Sequence, residues 1–169
     1  MLVVVGIIAI LIGFLVPVLS RARAAQRSVS CLMTLRQIGT AFKLYAQDNK
    51  MRLPDPIAVG KSWEQLLAPY HQAPFRCPSD EELFPAVGSS YDWRDTFDVD
   101  TSVAGMPLSA VKRSDLVLAF EALSGWHQKH KINVVFFEGS ARTIAEEACF
   151  SDLENAVDPT IPRQLRKRR

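Results

Sequence analysis

The sequence has few cysteines, and their arrangement restricts the chemistry that they can perform. Only three are present in 169 residues, Cys31, Cys77 and Cys149, and none belongs to a C-x-x-C pair. A zinc-finger or thioredoxin-type motif is therefore not predicted. Cys31 and Cys77 are a candidate disulfide in an oxidising compartment. The alternative is that the cysteines are free thiols that pack as small apolar side chains.

The sequence also lacks the patterns of common enzymes and nucleic-acid-binding proteins. It contains no glycine-rich phosphate loop, no Ser-His-Asp or Cys-His arrangement and no metal-ligand spacing. The net charge of +2 is too small to indicate a nucleic-acid partner. We predict no enzymatic activity, no catalytic residue, no metal, no cofactor and no small-molecule substrate. Four aspartates could supply oxygen ligands to calcium, but their spacing does not match an EF-hand, and we expect a solvated loop. They are Asp92, Asp95, Asp98 and Asp100.

Charged and polar side chains are missing from residues 2–19. A helix of this length spans about 27 Å, close to the roughly 30 Å of a bilayer hydrocarbon core. Small residues within it permit close approach of another helix. A cleavable signal peptide is the alternative, but only Met1 precedes the run where a basic segment would be expected. We predict a membrane-spanning helix over residues 1–19, with these membrane and assembly residues: Val5, Gly6, Ile10, Gly13 and Pro17.

The helical pattern continues beyond the apolar run, over residues 20–50. No proline occurs between residues 20 and 48, and apolar residues recur every three or four positions, which places them on one helix face. Pro54 and Pro56 follow its end. We predict one continuous helix whose second half lays an apolar stripe on a globular domain. The stripe consists of Ala22, Ala25, Val29, Leu32, Leu35, Ile38, Phe42 and Tyr45.

Residues 51–158 carry the signals of short helices. Ser62 and Gln65 form a capping-box pattern at the start of one helix, and Ser79 and Glu82 repeat that pattern further on. A last helix is predicted over residues 146–157. The remaining residues, 159–169, form a basic tail that we expect to be solvated.

The same region also carries strand signals. Short apolar runs predict strands at residues 116–120 and 132–137. Glu138 and Gly139 predict a turn into a returning strand at residues 141–145. The predicted fold is therefore α+β, with a small antiparallel sheet resting on the second half of the long helix.

The order of residues along the predicted helix resembles a known family. The apolar run LVVVGIIAILIG is followed by the pattern C-x-x-x-L-R-Q-I-G-x-A-x-x-x-Y-A-x-D-N, which begins at Cys31 and ends at Asn49. This order is similar to the N-terminal helix of bacterial type IV pilins, and especially of type II secretion pseudopilin-like proteins with a prepilin cleavage and methylation segment. The likeness resumes at residues 63–70, 77–80 and 133–142.

The resemblance implies a structural subunit of a pilus or of a type II secretion pseudopilus-like filament. Such a subunit is held in the inner membrane by its single N-terminal span, with a pilin-like head in the periplasm or outside the cell. The implied partners are self or related pilin-like subunits, a secretion or pilus platform, and a prepilin peptidase if the natural start lies upstream. The alternative is a membrane-tethered binding module that does not polymerise and whose head contacts a ligand, a surface or DNA.

The sequence departs from the family in two places. The family's Gly-Phe step and the Glu that follows it are absent, so we predict that the natural start lies upstream of Met1; the alternative is a variant that is neither cleaved nor assembled. The family's Asp-Gly turn, preceded by a His, is here Glu138-Gly139, with His130 closer to the turn. His127 and His130 are expected to lie in a loop and are not predicted to bind a metal together.

Overall fold

The chain folds as one long N-terminal helix and a four-stranded antiparallel sheet, which confirms the predicted α+β class. A computed structural model describes residues 2–96 and 100–158, with only the backbone described for Leu2, Val3 and residues 5–10. The predicted tail at residues 159–169 lies outside the described residues. The elements are α1 (Leu2–Asp48), α2 (Pro56–Val59), α3 (Trp63–Leu67), α4 (Leu83–Val87), β1 (Tyr91–Trp93), a 3-10 turn (Leu108–Ala110), β2 (Val117–Glu121), β3 (Lys131–Phe136), β4 (Ala141–Ala145) and α5 (Glu146–Glu154).

The four strands pair in the order in which they occur in the chain, β1-β2-β3-β4. The predicted hairpin is confirmed: β3 and β4 are antiparallel, Val135 lies opposite Ala141, and Gly139 in the turn has a φ of 105°. A positive φ of this kind favours glycine, which has no Cβ to clash. The sequence analysis missed β1, because its three residues lie in the aspartate-rich segment that was expected to be a loop.

Both faces of the sheet are covered by helices. α1 packs on one face against residues that include Leu118 and Val135, and α5 covers the other face around Val134 and Cys149. All five residues of β2 are buried. Because neither face meets water, β2 and β3 are apolar along most of their length instead of alternating.

α1 approaches the sheet most closely at Gly39. A Cβ at this position would lie 2.8 Å from Cγ2 of Val135, so a larger residue would displace the strand or its side chain. Three residues further along α1, Phe42 stacks on Trp93 with ring centroids 5.0 Å apart and on Trp63 at 5.9 Å. Aromatic contacts of this type contribute about 0.5–1.5 kcal/mol beyond the area that they bury.

The predicted apolar stripe of α1 is correct only in its second part. Leu35, Ile38 and Phe42 are completely buried, and Leu32 and Tyr45 pack at the edge of the core. The first three members were wrongly assigned to the contact with the head, because α1 extends beyond the head there. These exposed residues are Ala22, Ala25 and Val29.

The two predicted capping boxes have different outcomes. The first is confirmed, since Ser62 accepts a hydrogen bond from the N–H of Gln65 and the Gln65 side chain accepts one from the N–H of Ser62. The second is wrong, because α4 begins later than expected and the buried Asp80 caps it. The carboxylate of Asp80 accepts hydrogen bonds from the N–H groups of residues 82, 83 and 84. Burial alone would raise the pKa of Asp80, but these bonds and one from Ser90 outweigh burial and lower it.

Candidate functional site

The first candidate site is the apolar segment of α1 that extends beyond the head, residues 11–19, which we call the apolar projection. Every side chain in this segment is exposed, and Phe14 has 72% of its surface in contact with solvent. A helix that is apolar on all sides is normally buried in lipid or in protein. The segment therefore has the surface of a buried helix, and none of the residues that the structure describes covers it. Its large apolar residues are Leu11, Ile12, Phe14, Leu15, Val16, Val18 and Leu19.

Two of the predicted assembly residues lie in the apolar projection. A Cβ added to Gly13 would meet no atom within 4 Å, so packing within this chain does not require a glycine there. α1 continues through Pro17, whose carbonyl oxygen accepts a hydrogen bond of 2.9 Å from the Ser20 hydroxyl. Val5, Gly6 and Ile10 belong to α1, but their surroundings lie outside the described residues.

The predicted membrane span, residues 1–19, includes residues whose side chains lie outside the described part of the structure. Across the portion of the chain that the structure describes, no helix combines the length and apolar character needed to cross a membrane.

The second candidate site lies where α1 meets the head and consists of Cys31, Cys77, Glu121 and His127. We call it the cysteine cluster. Cys31 of α1 and Cys77 of the loop before α4 form a disulfide, with Cα atoms 5.3 Å apart. This separation lies within the usual range for disulfides. The bond joins residues 46 positions apart and fastens α1 to the head.

Glu121 brings a buried carboxylate to the cluster. It ends β2, with only 1% of its surface exposed. Its Oε1 lies 3.1 Å from Nε2 of His127 and 3.8 Å from Sγ of Cys77. Asn133 on β3 orients the carboxylate by donating its backbone N–H to Oε2 and its side-chain amide to Oε1, both at 3.0 Å. Thr143 on β4 in turn donates to the side-chain oxygen of Asn133 at 2.6 Å.

His127 completes the cluster from the loop between β2 and β3. Its Nε2 lies 3.4 Å from Sγ of Cys77, and its Nδ1 lies 3.4 Å from the hydroxyl oxygen of Ser79. Because a carboxylate oxygen only accepts, Nε2–H of His127 donates the 3.1 Å hydrogen bond to Oε1 of Glu121, and Nδ1 can accept from the Ser79 hydroxyl. One potential ligand atom from each of the four residues lies within 4.8 Å of the others.

Glu121 and His127 were not predicted as site residues. His130 was the histidine expected before the turn, but its side chain is 78% exposed and lies near Glu146. Glu121 and His127 are 44 and 50 positions from Cys77, so no ligand spacing marked them. The one available signal was a single acidic residue at the end of the otherwise apolar strand VLAFE.

The third cysteine lies apart from this cluster. Cys149 is a free, completely buried thiol in α5. Burial, together with the nearby Asp152, raises the pKa of Cys149 to about 12. At neutral pH the sulfur is therefore protonated and unreactive.

Comparison with known proteins found no matching family model, no similar curated protein and no similar solved structure. The fold and the two sites thus define an α+β protein with a projecting apolar helix. The resemblance to pilins remains a prediction.

Proposed function

We propose that this chain is a pilin-like structural subunit of a pilus or a type II secretion pseudopilus-like filament, held in the inner membrane by its N-terminal helix. The mechanism is association of helices rather than catalysis. The observation that carries the proposal is that α1 is divided into two parts. Its second part is packed into the head, and its first part is apolar on every side and extends away from it.

The energetic cost of leaving this first part in water supports the proposal. Burying a large aliphatic or aromatic side chain contributes about 1.5–3 kcal/mol. Seven such side chains are exposed between residues 11 and 19, so covering them would contribute on the order of 10–20 kcal/mol. This is as large as the total stability of a typical domain. Lipid before assembly, and neighbouring helices after it, are the environments that would cover the segment on all sides.

Three further features fit this arrangement. Gly13 provides a place where another helix can approach closely, as small residues do in membrane helix pairs. Arg21, Arg23 and Arg27 are exposed immediately after the apolar residues, where their long side chains would reach the polar boundary of the membrane. The disulfide between Cys31 and Cys77 fits a head located outside the reducing cytoplasm.

Cysteine crosslinking in cells tests the proposal. Gly13→Cys is expected to form homo-oligomer or hetero-oligomer ladders under oxidation in cells that contain an intact secretion or pilus system. The matched control is Ile57→Cys, at an 86% exposed position on the head, which is expected to form few or no ladders. Cys149 is buried and does not contribute to the background.

Membrane fractionation separates the proposal from its alternatives. A subunit of this kind stays in the membrane after a carbonate wash and forms ladders through position 13. Recovery of monomer alone, in the membrane, would refute the filament and favour the tethered binding module. Recovery in the soluble fraction would refute the anchor.

A further inference from the structure

We propose that the cysteine cluster is a redox-controlled zinc site. When the disulfide is reduced, the thiolates of Cys31 and Cys77, Nε2 of His127 and Oε1 of Glu121 bind one Zn²⁺ ion. This inference goes beyond filament assembly and does not depend on it, since the cluster lies where α1 meets the head and outside the apolar projection. No metal site was predicted from the sequence, because these four ligands are not closely spaced along the chain.

The ligand types suit zinc. Two sulfurs, one imidazole and one carboxylate form a four-ligand set of the kind that Zn²⁺ binds tetrahedrally. In the zinc-bound state, two thiolates and a carboxylate place three negative charges in a buried space. Such charges are costly without a cation, and a divalent ion would neutralise most of them.

Three of the ligand distances already agree with a tetrahedron around zinc. Zinc bonds of about 2.3 Å to sulfur and about 2.0–2.1 Å to nitrogen and oxygen imply about 3.5 Å between sulfur and nitrogen and about 3.3 Å between nitrogen and oxygen. The corresponding distances are 3.4 Å from Cys77 to His127 and 3.1 Å from His127 to Glu121. Sulfur and carboxylate oxygen are 3.8 Å apart, against about 3.6 Å expected. The two sulfurs are too close, because they are bonded, and Sγ of Cys31 lies within 4.8 Å of the other ligand atoms.

Reduction would remove this one obstacle. A dithiol reductant transfers two electrons and two protons, so the S–S bond breaks, two thiols form and the reductant becomes a disulfide. The sulfurs can then separate to the roughly 3.8 Å of two thiolates on one zinc ion. Zn²⁺ displaces the two thiol protons as it binds. α1 stays connected to the head in both states, first by a covalent bond and then through the metal.

The surrounding residues hold the ligands as in established zinc sites. When Nε2 of His127 binds the ion instead of donating to Glu121, the ring proton lies on Nδ1, where the Ser79 hydroxyl oxygen can accept it. Asn133, itself held by Thr143, orients the carboxylate of Glu121.

Metal analysis of the full chain in detergent micelles tests the site. After reduction with a phosphine and exposure to ZnCl₂, the chain is expected to retain one zinc per molecule, and the oxidised chain none. Co²⁺ in place of zinc should give a thiolate-to-cobalt charge-transfer band and the intense visible bands of tetrahedral cobalt. Zinc retention equal in the reduced and oxidised chains would overturn the proposal.

Matched histidine variants identify the ligands. His127→Ala and Glu121→Gln should each weaken zinc binding by the reduced chain at least ~10-fold, while His130→Ala should leave it unchanged. Circular dichroism monitors the fold of each reduced variant. If the reduced chain unfolds, recovery of the native spectrum on adding zinc to the wild type but not to His127→Ala supports the site. Equal zinc affinity in the wild type and both ligand variants would show binding by the thiols alone and would refute it.

Discussion

Replacing Asp152 with asparagine is expected to destabilise the head by about 3–5 kcal/mol, the usual cost of removing one partner of a buried ion pair. Asn has nearly the same shape as Asp, so the change removes a charge without opening a cavity. The prediction rests on Arg94, a completely buried residue whose guanidinium group faces Asp152.

Arg94 connects β1 to α5. Its Nη1 donates to Oδ2 of Asp152 at 2.8 Å, and its other nitrogens donate to the carbonyls of Thr101, Asp152 and Asn155. Oδ2 of Asp152 also accepts the backbone N–H of Val117 at 2.9 Å. Burial lowers the pKa of Arg94, and the Asp152 carboxylate opposes this shift.

The size of the effect follows from this geometry. An amide oxygen can still accept the N–H of Val117, so that backbone bond should survive. The guanidinium would keep its hydrogen bonds to carbonyls but lose the only carboxylate that contacts it among the described residues. An uncompensated buried charge of this kind is the reason that breaking such a pair costs more than the pair itself contributes.

Urea denaturation of the full chain in detergent micelles, followed by tryptophan fluorescence, measures the change. Arg113 pairs both with Oδ1 of Asp152 and with Asp115, so Asp152→Asn weakens that contact as well. Asp115→Asn is the control, because it removes a charge beside the same Arg113 from a side chain that is 69% exposed. A surface pair of this kind contributes about 0–1 kcal/mol. The reasoning would be refuted if Asp152→Asn lowered the free energy of unfolding by less than about 1 kcal/mol, or if both variants lowered it equally.

Three other predictions concern stability and reactivity. In the same assay, the free energy of unfolding of Gly39→Ala should be about 1–3 kcal/mol lower than that of Gly13→Ala. Both variants gain similar helix propensity, but only a methyl group at position 39 would press on Val135. Equal free energies of unfolding would contradict the close packing of α1 on β3. Because the pKa of Asp80 is lower in the folded than in the unfolded protein, the Asp80 carboxylate stabilises the fold at pH values above its unfolded pKa of about 4. This stabilisation is lost as the pH falls through the pKa of the folded protein. Asp80→Asn should therefore be less stable than wild type at pH 7, with the difference shrinking in acid; a difference independent of pH would count against the cap. Cys149, with its pKa near 12, should resist maleimide at pH 7 until the chain is unfolded; labelling of the native protein would contradict its burial.

Features that depend on neighbouring residues could be predicted from the sequence. The helix through Asp48 follows from apolar residues at helical spacing, and the capping box of Ser62 and Gln65 involves atoms only three positions apart. The β3–β4 hairpin follows from an apolar run and a Gly139 turn. In each case the hydrogen bonds that stabilise the element form between residues close in the chain, so the local pattern is sufficient.

Features that depend on distant contacts were decided by the tertiary structure. β1 exists because its three residues pair with β2, and Asp80 replaced Ser79 as a cap because α4 begins at Leu83. Which part of α1 is buried, from about Cys31 onward, depends on core residues that lie far away in the chain.

The cysteine cluster shows the same division. The sequence offered Cys31 and Cys77 as a candidate disulfide and gave no sign of a further group beside them. The register of β1 on β2 and of β2 on β3, together with the loop that carries His127, brought Glu121 and an imidazole beside those sulfurs. Sheet register depends on how whole strands pack against α1 and α5, and no spacing along the chain encodes it.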